Sequence, residues 1–147
     1  MKWKIDNLAE LENVASEVVA RAEEASKKSG HAVVIALHGN LGAGKTTFTK
    51  HLAKVLGIEE NVVSPTFVIQ KQFKISDGSF SQLIHIDTYR IDLQDELVRL
   101  GWAENVAEKG NLIAVEWPEN IPDLLPENTI HIYFTHVNET TREIEIK

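Results

Sequence analysis

A glycine-rich loop that contains a lysine and a threonine is the group of residues best suited to chemistry in this sequence. Residues 39–46 follow the pattern G-x-x-x-x-G-K-T, directly after an apolar run at 32–37. Glycines let successive backbone N–H groups turn toward phosphate oxygens, and a helix starting there points its positive end at the same anion. In this pattern the lysine reaches the β- and γ-phosphates and the threonine hydroxyl ligates Mg²⁺. The residues predicted to bind a nucleoside triphosphate here are Gly39, Asn40, Leu41, Gly42, Ala43, Gly44, Lys45 and Thr46.

Two acidic residues, each directly after an apolar run, are candidates for the metal and hydrolysis chemistry. Asp87 follows residues 83–86, and Glu116 follows residues 112–115. Ligands of open α/β sheets bind at the carboxyl ends of the strands, where either carboxylate would hold Mg²⁺ through a water or orient an attacking water. The alternative is that each acid only caps its strand or pairs with Arg90 or a lysine. The neighbouring phosphate loop favours the functional interpretation.

Three further segments have polar or aromatic residues that suit a nucleotide site. Ser64-Pro65-Thr66 offers hydroxyls in a rigid turn, either as a switch-like loop that senses the γ-phosphate or as a plain turn before a strand. Arg90 would support phosphate charge or anchor Asp87. Trp117 would stack on a base or a partner surface, although an aromatic residue at a strand exit is more often there for packing.

The hydrophobic pattern predicts an α/β domain in which a mixed sheet positions these residues. Helical spacing starts near Leu8 with Asp6 or Asn7 as cap, and the turn signal Asp77-Gly78 makes the flanking strands antiparallel neighbours. Predicted strands are 32–37, 66–75, 80–86, 112–115, 129–135 and 142–147; predicted helices are 8–28 and 45–56, with helical signals at 92–109 broken by Gly101. We expect one P-loop NTPase-like, three-layer domain over residues 1–147.

Composition narrows the class of protein. The sequence has 43% hydrophobic and 25% charged residues, as in globular proteins, and no cysteine for a disulfide or thiolate site. Its net charge of −7 opposes a broad nucleic-acid surface of its own. We expect a cytoplasmic protein, because no signal-peptide pattern and no apolar run of about 20 residues is present. The histidines show no metal-ligand spacing.

Four motifs in this order resemble the bacterial TsaE family, formerly called YjeE. They are Leu41-Gly42-Ala43-Gly44-Lys45-Thr46-Thr47, Ser64-Pro65-Thr66-Phe67, His85-x-Asp87-x-Tyr89-Arg90 and Val115-Glu116-Trp117-Pro118-Glu119. The resemblance covers nearly the whole chain and is far more specific than the phosphate loop alone. One departure is Asn40, where many members have aspartate.

The resemblance implies an ATPase of tRNA threonylcarbamoyladenosine biosynthesis, with ATP and Mg²⁺ as cofactors. It implies that Lys45, Thr46 and Thr47 bind nucleotide, that Asp87 and Glu116 serve metal and catalysis, and that Trp117 lies beside the nucleotide. Ser64–Thr66 would form the switch-like loop. The implied partners are the proteins TsaD and TsaB. ATP hydrolysis by this chain would reset the complex of these two proteins between rounds, and tRNA would contact this chain only indirectly.

Two rival functions fit the phosphate loop. A P-loop kinase for a nucleoside or another small metabolite usually needs an arginine-rich lid, whereas Arg90, Arg99 and Arg142 are scattered here. An ATP-gated adaptor that scarcely hydrolyses ATP needs no acidic residues at strand ends. The presence of Asp87 and Glu116 at such positions argues mildly against it. The choice of ATP over GTP rests on the family resemblance, since an N-K-x-D base-reading element is not seen.

Overall fold

The structure of the protein, a computed structural model, describes residues 1–40, 42–60, 70–76, 78–88 and 93–147. Five predicted site residues lie outside this part of the chain: Leu41, Ser64, Pro65, Thr66 and Arg90. The start of the predicted strand 66–75 and Asp77 of the predicted turn also lie outside it. The predictions for these residues therefore stay predictions.

A seven-stranded mixed sheet is the centre of the described fold. Its strands are β1 (Lys2–Ile5), β2 (Val33–His38), β3 (Gln70–Lys74), β4 (Gln82–Asp87), β5 (Asn111–Glu116), β6 (Ile130–His136) and β7 (Arg142–Ile146). They are ordered β1-β7-β6-β2-β5-β4-β3. Four consecutive strands, β6, β2, β5 and β4, run parallel, and the pairs β1–β7, β6–β7 and β3–β4 are antiparallel. The predicted mixed sheet is confirmed.

Four helices cover the two faces of the sheet within the described residues. They are α1 (Leu8–Lys28), α2 (Lys45–Val55), α3 (Leu93–Arg99) and α4 (Trp102–Ala107), and short 3₁₀ turns follow at Pro118–Asn120 and Pro122–Leu124. The α1 helix begins at the predicted cap, because the Asn7 side chain accepts a hydrogen bond from the Glu10 N–H at 3.0 Å. The left-handed backbone of Gly101 (φ 91°) separates α3 from α4. This confirms the predicted break in the helical signals at Gly101.

Two apolar cores explain why the domain has three layers. The larger core joins one face of the sheet to α1 and α2, through residues such as Val18, Phe48 and Leu52. The smaller core joins the other face to α3, α4 and the 3₁₀ turns, through residues such as Leu97 and Ile121. Alternate residues of each strand therefore face opposite cores. No helix of the described residues is both long and apolar enough to cross a membrane.

The first strand was not expected from the sequence. β1 is a four-residue edge strand that pairs antiparallel with β7, so the two ends of the chain meet. Its alternation of Lys2, Trp3, Lys4 and Ile5 is too short to stand out as a strand pattern, and its partner is far away in sequence. A strand of this kind depends on tertiary pairing more than on local propensity.

Candidate functional site

The candidate site lies where three parallel strands end. In the sheet register, Glu116 at the end of β5 pairs with Leu37 of β2 on one side and with Asp87 of β4 on the other. The chain continues from β2 through the glycine-rich loop into α2, whose first residue is Lys45. The strand ends, the loop and the start of α2 therefore meet at one edge of the sheet, as expected from the sequence.

The backbone of the loop requires its glycines. Gly39, Gly42 and Gly44 have φ angles of 154°, 81° and 104°, in a region that side chains disfavour. Gly39 is also constrained by space, because a Cβ atom there would lie 2.9 Å from the Phe134 carbonyl oxygen. Gly44 is the N-cap of α2 and leaves the first N–H groups of this helix facing the loop. This arrangement suits an anion.

Lys45 is held inside the site. The residue is only 4% exposed, and its Nζ donates a hydrogen bond to the Gly39 carbonyl oxygen at 2.6 Å. The same Nζ lies 3.4 Å from the centroid of the Trp117 ring, in a cation–π contact. Burial lowers the pKa of Lys45, and the carboxylates of Glu116, Glu119 and Asp87 act against this shift. A buried ammonium at the start of a helix is a cation placed for an anionic ligand.

Glu116 joins α2 to the strand β4. The Thr46 hydroxyl donates to its carboxylate and lies 3.2 Å from both Oε1 and Oε2. On the other side, His85 Nε2 lies 2.6 Å from Glu116 Oε2. The side chains of His85 and Glu116 are 0% and 5% exposed. A half-buried threonine, a buried glutamate and a buried histidine, from three different elements, thus form one polar chain.

The residue after Glu116 has an unusual backbone that its neighbours hold in place. Trp117 is the single non-glycine residue with a positive φ (60°) among the described residues. The Thr88 N–H and hydroxyl both contact the Glu116 carbonyl oxygen, at 3.1 and 2.8 Å, and the hydroxyl also contacts the Trp117 carbonyl oxygen. Left-handed backbone costs a non-glycine residue on the order of 1–3 kcal/mol and is found mainly where a site needs it. Here it accompanies the contact between Trp117 and Lys45.

A cavity of about 320 Å³ adjoins the loop on its α1 side. Ala43, Gly44 and Thr47 form the wall next to the loop. The other walls are mostly apolar and come from the start of α1 and from β6 and β7, with residues such as Leu11 and Phe134. A cavity of this size, with an apolar lining and a few polar groups, suits a flat organic ring.

The residues at the strand ends also suit a metal ion. The Thr46 hydroxyl and the carboxylates of Glu116 and Asp87 are oxygen ligands of the kind that Mg²⁺ prefers. Among the described residues, no three His, Cys, Asp or Glu side chains form a cluster able to hold a metal by themselves. Mg²⁺ is usually bound by one or two carboxylates together with substrate phosphates, so this donor set fits Mg²⁺ that arrives with a nucleotide.

The structure brings together most of the predicted site residues that it describes. Lys45 contacts Trp117, and Thr46 contacts Glu116. Asp87 is the register neighbour of Glu116, and Thr47 lines the adjoining cavity. The sequence analysis assigned no role to His85 or Thr88, although His85 belongs to one of the four family motifs. The alternation of strand residues was an available signal for His85, because residues 85 and 87 of β4 face the same side.

Comparisons with known proteins identify the family of this fold and site. The family profile described as "Threonylcarbamoyl adenosine biosynthesis protein TsaE" matches residues 5–144. A protein of Bacillus subtilis (strain 168) named tRNA threonylcarbamoyladenosine biosynthesis protein TsaE is 38% identical over 144 residues, which are 98% of this chain and 83% of that protein. A protein of the same name from Nostoc sp. is 37% identical over 116 residues, 77% of this chain and 68% of its own length.

A solved structure has the same fold. The crystal structure of YdiB from Bacillus subtilis superposes with a TM-score of 0.71 at 32% sequence identity, and the match covers 98% of this chain and 82% of that one. The agreement extends over nearly the whole chain.

Proposed function

Because the chain belongs to the TsaE family of threonylcarbamoyl adenosine biosynthesis proteins, we propose that it supplies ATP hydrolysis to the machinery that makes this tRNA modification. The observation that carries the proposal is the contact of Thr46, in the first turn of α2, with the buried Glu116 carboxylate at 3.2 Å. This contact joins a phosphate-binding element to an acid at a strand end. Phosphoryl transfer from a nucleoside triphosphate needs both.

The loop and Lys45 bind the phosphates of ATP in this proposal. The backbone N–H groups at the start of α2 face the loop, and the Lys45 ammonium donates a hydrogen bond to Gly39, the first residue of the loop. Phosphate oxygens would replace the Gly39 carbonyl as acceptors for Lys45, with stronger charge-assisted hydrogen bonds. The cavity beside Ala43 and Thr47 is the expected place for the adenine ring, because it continues directly from the loop.

Mg²⁺ would be held by Thr46 and by the carboxylates of Glu116 and Asp87, together with phosphate oxygens. When bound, it would neutralise the charge that develops on the phosphates during hydrolysis.

Hydrolysis needs a water held in line with the terminal phosphorus. That water forms a bond to the phosphorus while the bond to the bridging oxygen breaks, giving ADP and phosphate. Glu116 is the acid placed to orient the water, because its carboxylate lies beside the first turn of α2. Trp117 keeps the Lys45 side chain within the site by its ring contact at 3.4 Å.

The partners in this proposal are TsaD and TsaB. ATP hydrolysis by this chain would reset their complex between rounds of tRNA modification, and they would stimulate the hydrolysis. The net charge of −7 supports an indirect contact with tRNA, because a surface that binds RNA by itself is usually basic. In this role low ATP turnover by the chain alone is expected.

The deciding experiment measures ATP hydrolysis by the purified chain, alone and with TsaD and TsaB from the same organism. We expect weak activity alone and a clear stimulation by the partners. The variant Glu116→Gln, which keeps the shape of the side chain, should bind ATP normally and lose about 100-fold or more of the turnover. Absence of stimulation together with phosphoryl transfer to a metabolite would show a kinase instead, and normal hydrolysis by Glu116→Gln would refute the role of this acid.

A further inference from the structure

A buried histidine beside the candidate site has no part in the chemistry proposed above. His85 lies in the middle of β4, is 0% exposed and touches Glu116 through its Nε2 atom at 2.6 Å. Leu83, two residues earlier on the same side of β4, and the cross-strand partner Ala114 both belong to the larger apolar core. An imidazole among such neighbours costs free energy unless a hydrogen bond compensates for its lost hydration. The contact with Glu116 is that hydrogen bond.

The direction of the hydrogen bond follows from the chemistry of the two groups. An ionised carboxylate only accepts, so His85 Nε2–H is assigned as the donor to Glu116 Oε2. His85 Nδ1 is buried and has no hydrogen-bond partner in the described part of the chain. The contact with Glu116 is therefore the one side-chain hydrogen bond of the imidazole among the described residues.

This hydrogen bond makes the two oxygens of the Glu116 carboxylate unequal. Among the described residues, Oε2 has contacts with both His85 and Thr46, whereas Oε1 has one with Thr46 alone. A glutamate side chain has three rotatable bonds, and fixing it costs rotamer entropy. We infer that His85 is a positioning residue for Glu116, because it holds Oε2 and leaves Oε1 directed at the first turn of α2. The inference rests on the proposed hydrolysis, in which Glu116 orients the attacking water.

Two amide substitutions that differ by one methylene test the inference through turnover. In His85→Gln the amide nitrogen reaches about as far as Nε2, whereas in His85→Asn it stops near the position of Nδ1. We expect His85→Gln to keep most of the partner-stimulated kcat and His85→Asn to lose about 10- to 100-fold. The Kd for Mg-ATP should stay within about threefold in both variants, because the effect falls on orientation and not on binding. Equal kcat in the two variants would overturn the inference.

A spectroscopic measurement tests the hydrogen bond without any hydrolysis. In protein labelled with ¹⁵N-histidine, we expect the His85 Nε2–H proton to exchange slowly and to resonate far downfield, as charge-assisted hydrogen bonds do. Glu116→Gln replaces the carboxylate with a neutral amide and should move this signal upfield. A signal that Glu116→Gln leaves unchanged would overturn the inference, even where His85→Asn fails to fold.

The two measurements separate this inference from the proposed function. Turnover by the unsubstituted chain belongs to the proposed function, while the ratio between the two His85 variants belongs to the positioning role. Where the unsubstituted chain hydrolyses no ATP under any condition, the proposed function fails, and the NMR comparison alone decides whether His85 holds Glu116. Where the chain hydrolyses ATP and the two variants are equal, only the inference fails.

Discussion

Two polar clusters on the described fold have the same kinds of side chain and opposite surroundings. One, here called the site cluster, lies under α2. Its members are Lys45, Thr46, His85, Glu116 and Trp117. The other, here called the surface cluster, lies where the end of β2 pairs with the first half of β6. Its members are His38, Glu119, His131, Tyr133 and Lys147. Each cluster contains a histidine near a glutamate and a lysine over an aromatic ring.

The distances in the two clusters differ in a consistent way. In the site cluster the histidine and glutamate atoms are 2.6 Å apart, whereas His38 Nδ1 and Glu119 Oε2 are 3.7 Å apart in the surface cluster. The lysine nitrogen lies 3.4 Å from the ring centroid of Trp117 but 4.8 Å from that of Tyr133. The shorter contacts are the buried ones. Burial strengthens each interaction and removes the option of pairing with water instead.

The comparison teaches that residue type does not identify a functional group in this fold. The side chains of His38 and Glu119 are 21% and 50% exposed, so solvent screens their interaction and little free energy depends on it. The side chains of His85 and Glu116 are 0% and 5% exposed, so loss of either partner leaves a polar group buried alone. Substitutions should therefore have large effects in the site cluster and small ones in the surface cluster.

The largest difference in nucleotide affinity is expected between variants of the two lysines, Lys45 and Lys147. Lys45→Ala should weaken binding of Mg-ATP by about 1.5–3 kcal/mol, roughly 10- to 150-fold in Kd, because a charged donor to the phosphates is lost. The matched control is Lys147→Ala. Lys147 also lies over an aromatic ring, but its side chain is 63% exposed. The Kd of this variant should change by less than about twofold. Calorimetric titration with a non-hydrolysable ATP analogue measures both, and equal losses would remove the distinction between the clusters.

A smaller effect is expected at the residue that joins the two clusters. Gly39 follows His38 directly and offers its carbonyl oxygen to Lys45, and a Cβ atom on it would lie 2.9 Å from the Phe134 carbonyl oxygen. Gly39→Ala should lower the free energy of unfolding by about 1–3 kcal/mol through this clash and the strained φ, and should weaken nucleotide binding as well.

The control for Gly39→Ala is Gly30→Ala. A Cβ atom on Gly30 would meet nothing within 4 Å. The free energy of unfolding should change by no more than about 0.5 kcal/mol in this variant. Urea denaturation of the two variants gives the comparison. A Gly39→Ala protein as stable as Gly30→Ala would mean that the loop adapts to a side chain. Gly39 would then not fix the positions of the two clusters relative to each other.

Much of the site could be predicted from the sequence, because its parts have local signals. The glycine pattern before Lys45 specifies a phosphate loop, and an acid directly after an apolar run specifies a strand end. Parallel strands then bring Asp87 and Glu116 to the same edge without further information. The fold class followed from the same alternation of strands and helices.

The rest depends on contacts between residues that are far apart in sequence. His38 and His131 are 93 positions apart, and only the pairing of β2 with β6 makes them neighbours. The edge strand β1 likewise exists through its pairing with β7. Strand alternation places His85 on the same side of β4 as Asp87, but nothing near it in sequence shows that its partner is Glu116, 31 positions later. Register and strand order set such contacts, and a single sequence does not specify them.

The smallest effect is expected in the surface cluster and depends on pH. Burial lowers the pKa of both His38 and His131, and each histidine also faces the other at 2.8 Å. The folded protein therefore favours the neutral imidazoles, and the unfolded chain binds more protons as the pH falls through about 6.5. Their contribution to the free energy of unfolding is complete above that pH and is lost as the pH falls from there through the lowered pKa values of the folded state.

His131→Asn tests this contribution, because the amide nitrogen or oxygen of asparagine replaces Nδ1 without a titrating group. The unsubstituted chain should lose more stability between pH 7 and pH 5 than the variant does, in urea denaturation at a series of pH values. At pH 7 the variant should keep its Kd for Mg-ATP within about twofold, since the half-exposed surface cluster does not hold the phosphates. A variant that loses nucleotide binding as strongly as Lys45→Ala would show that the surface cluster supports the loop through Gly39, and the two clusters would then be one functional unit.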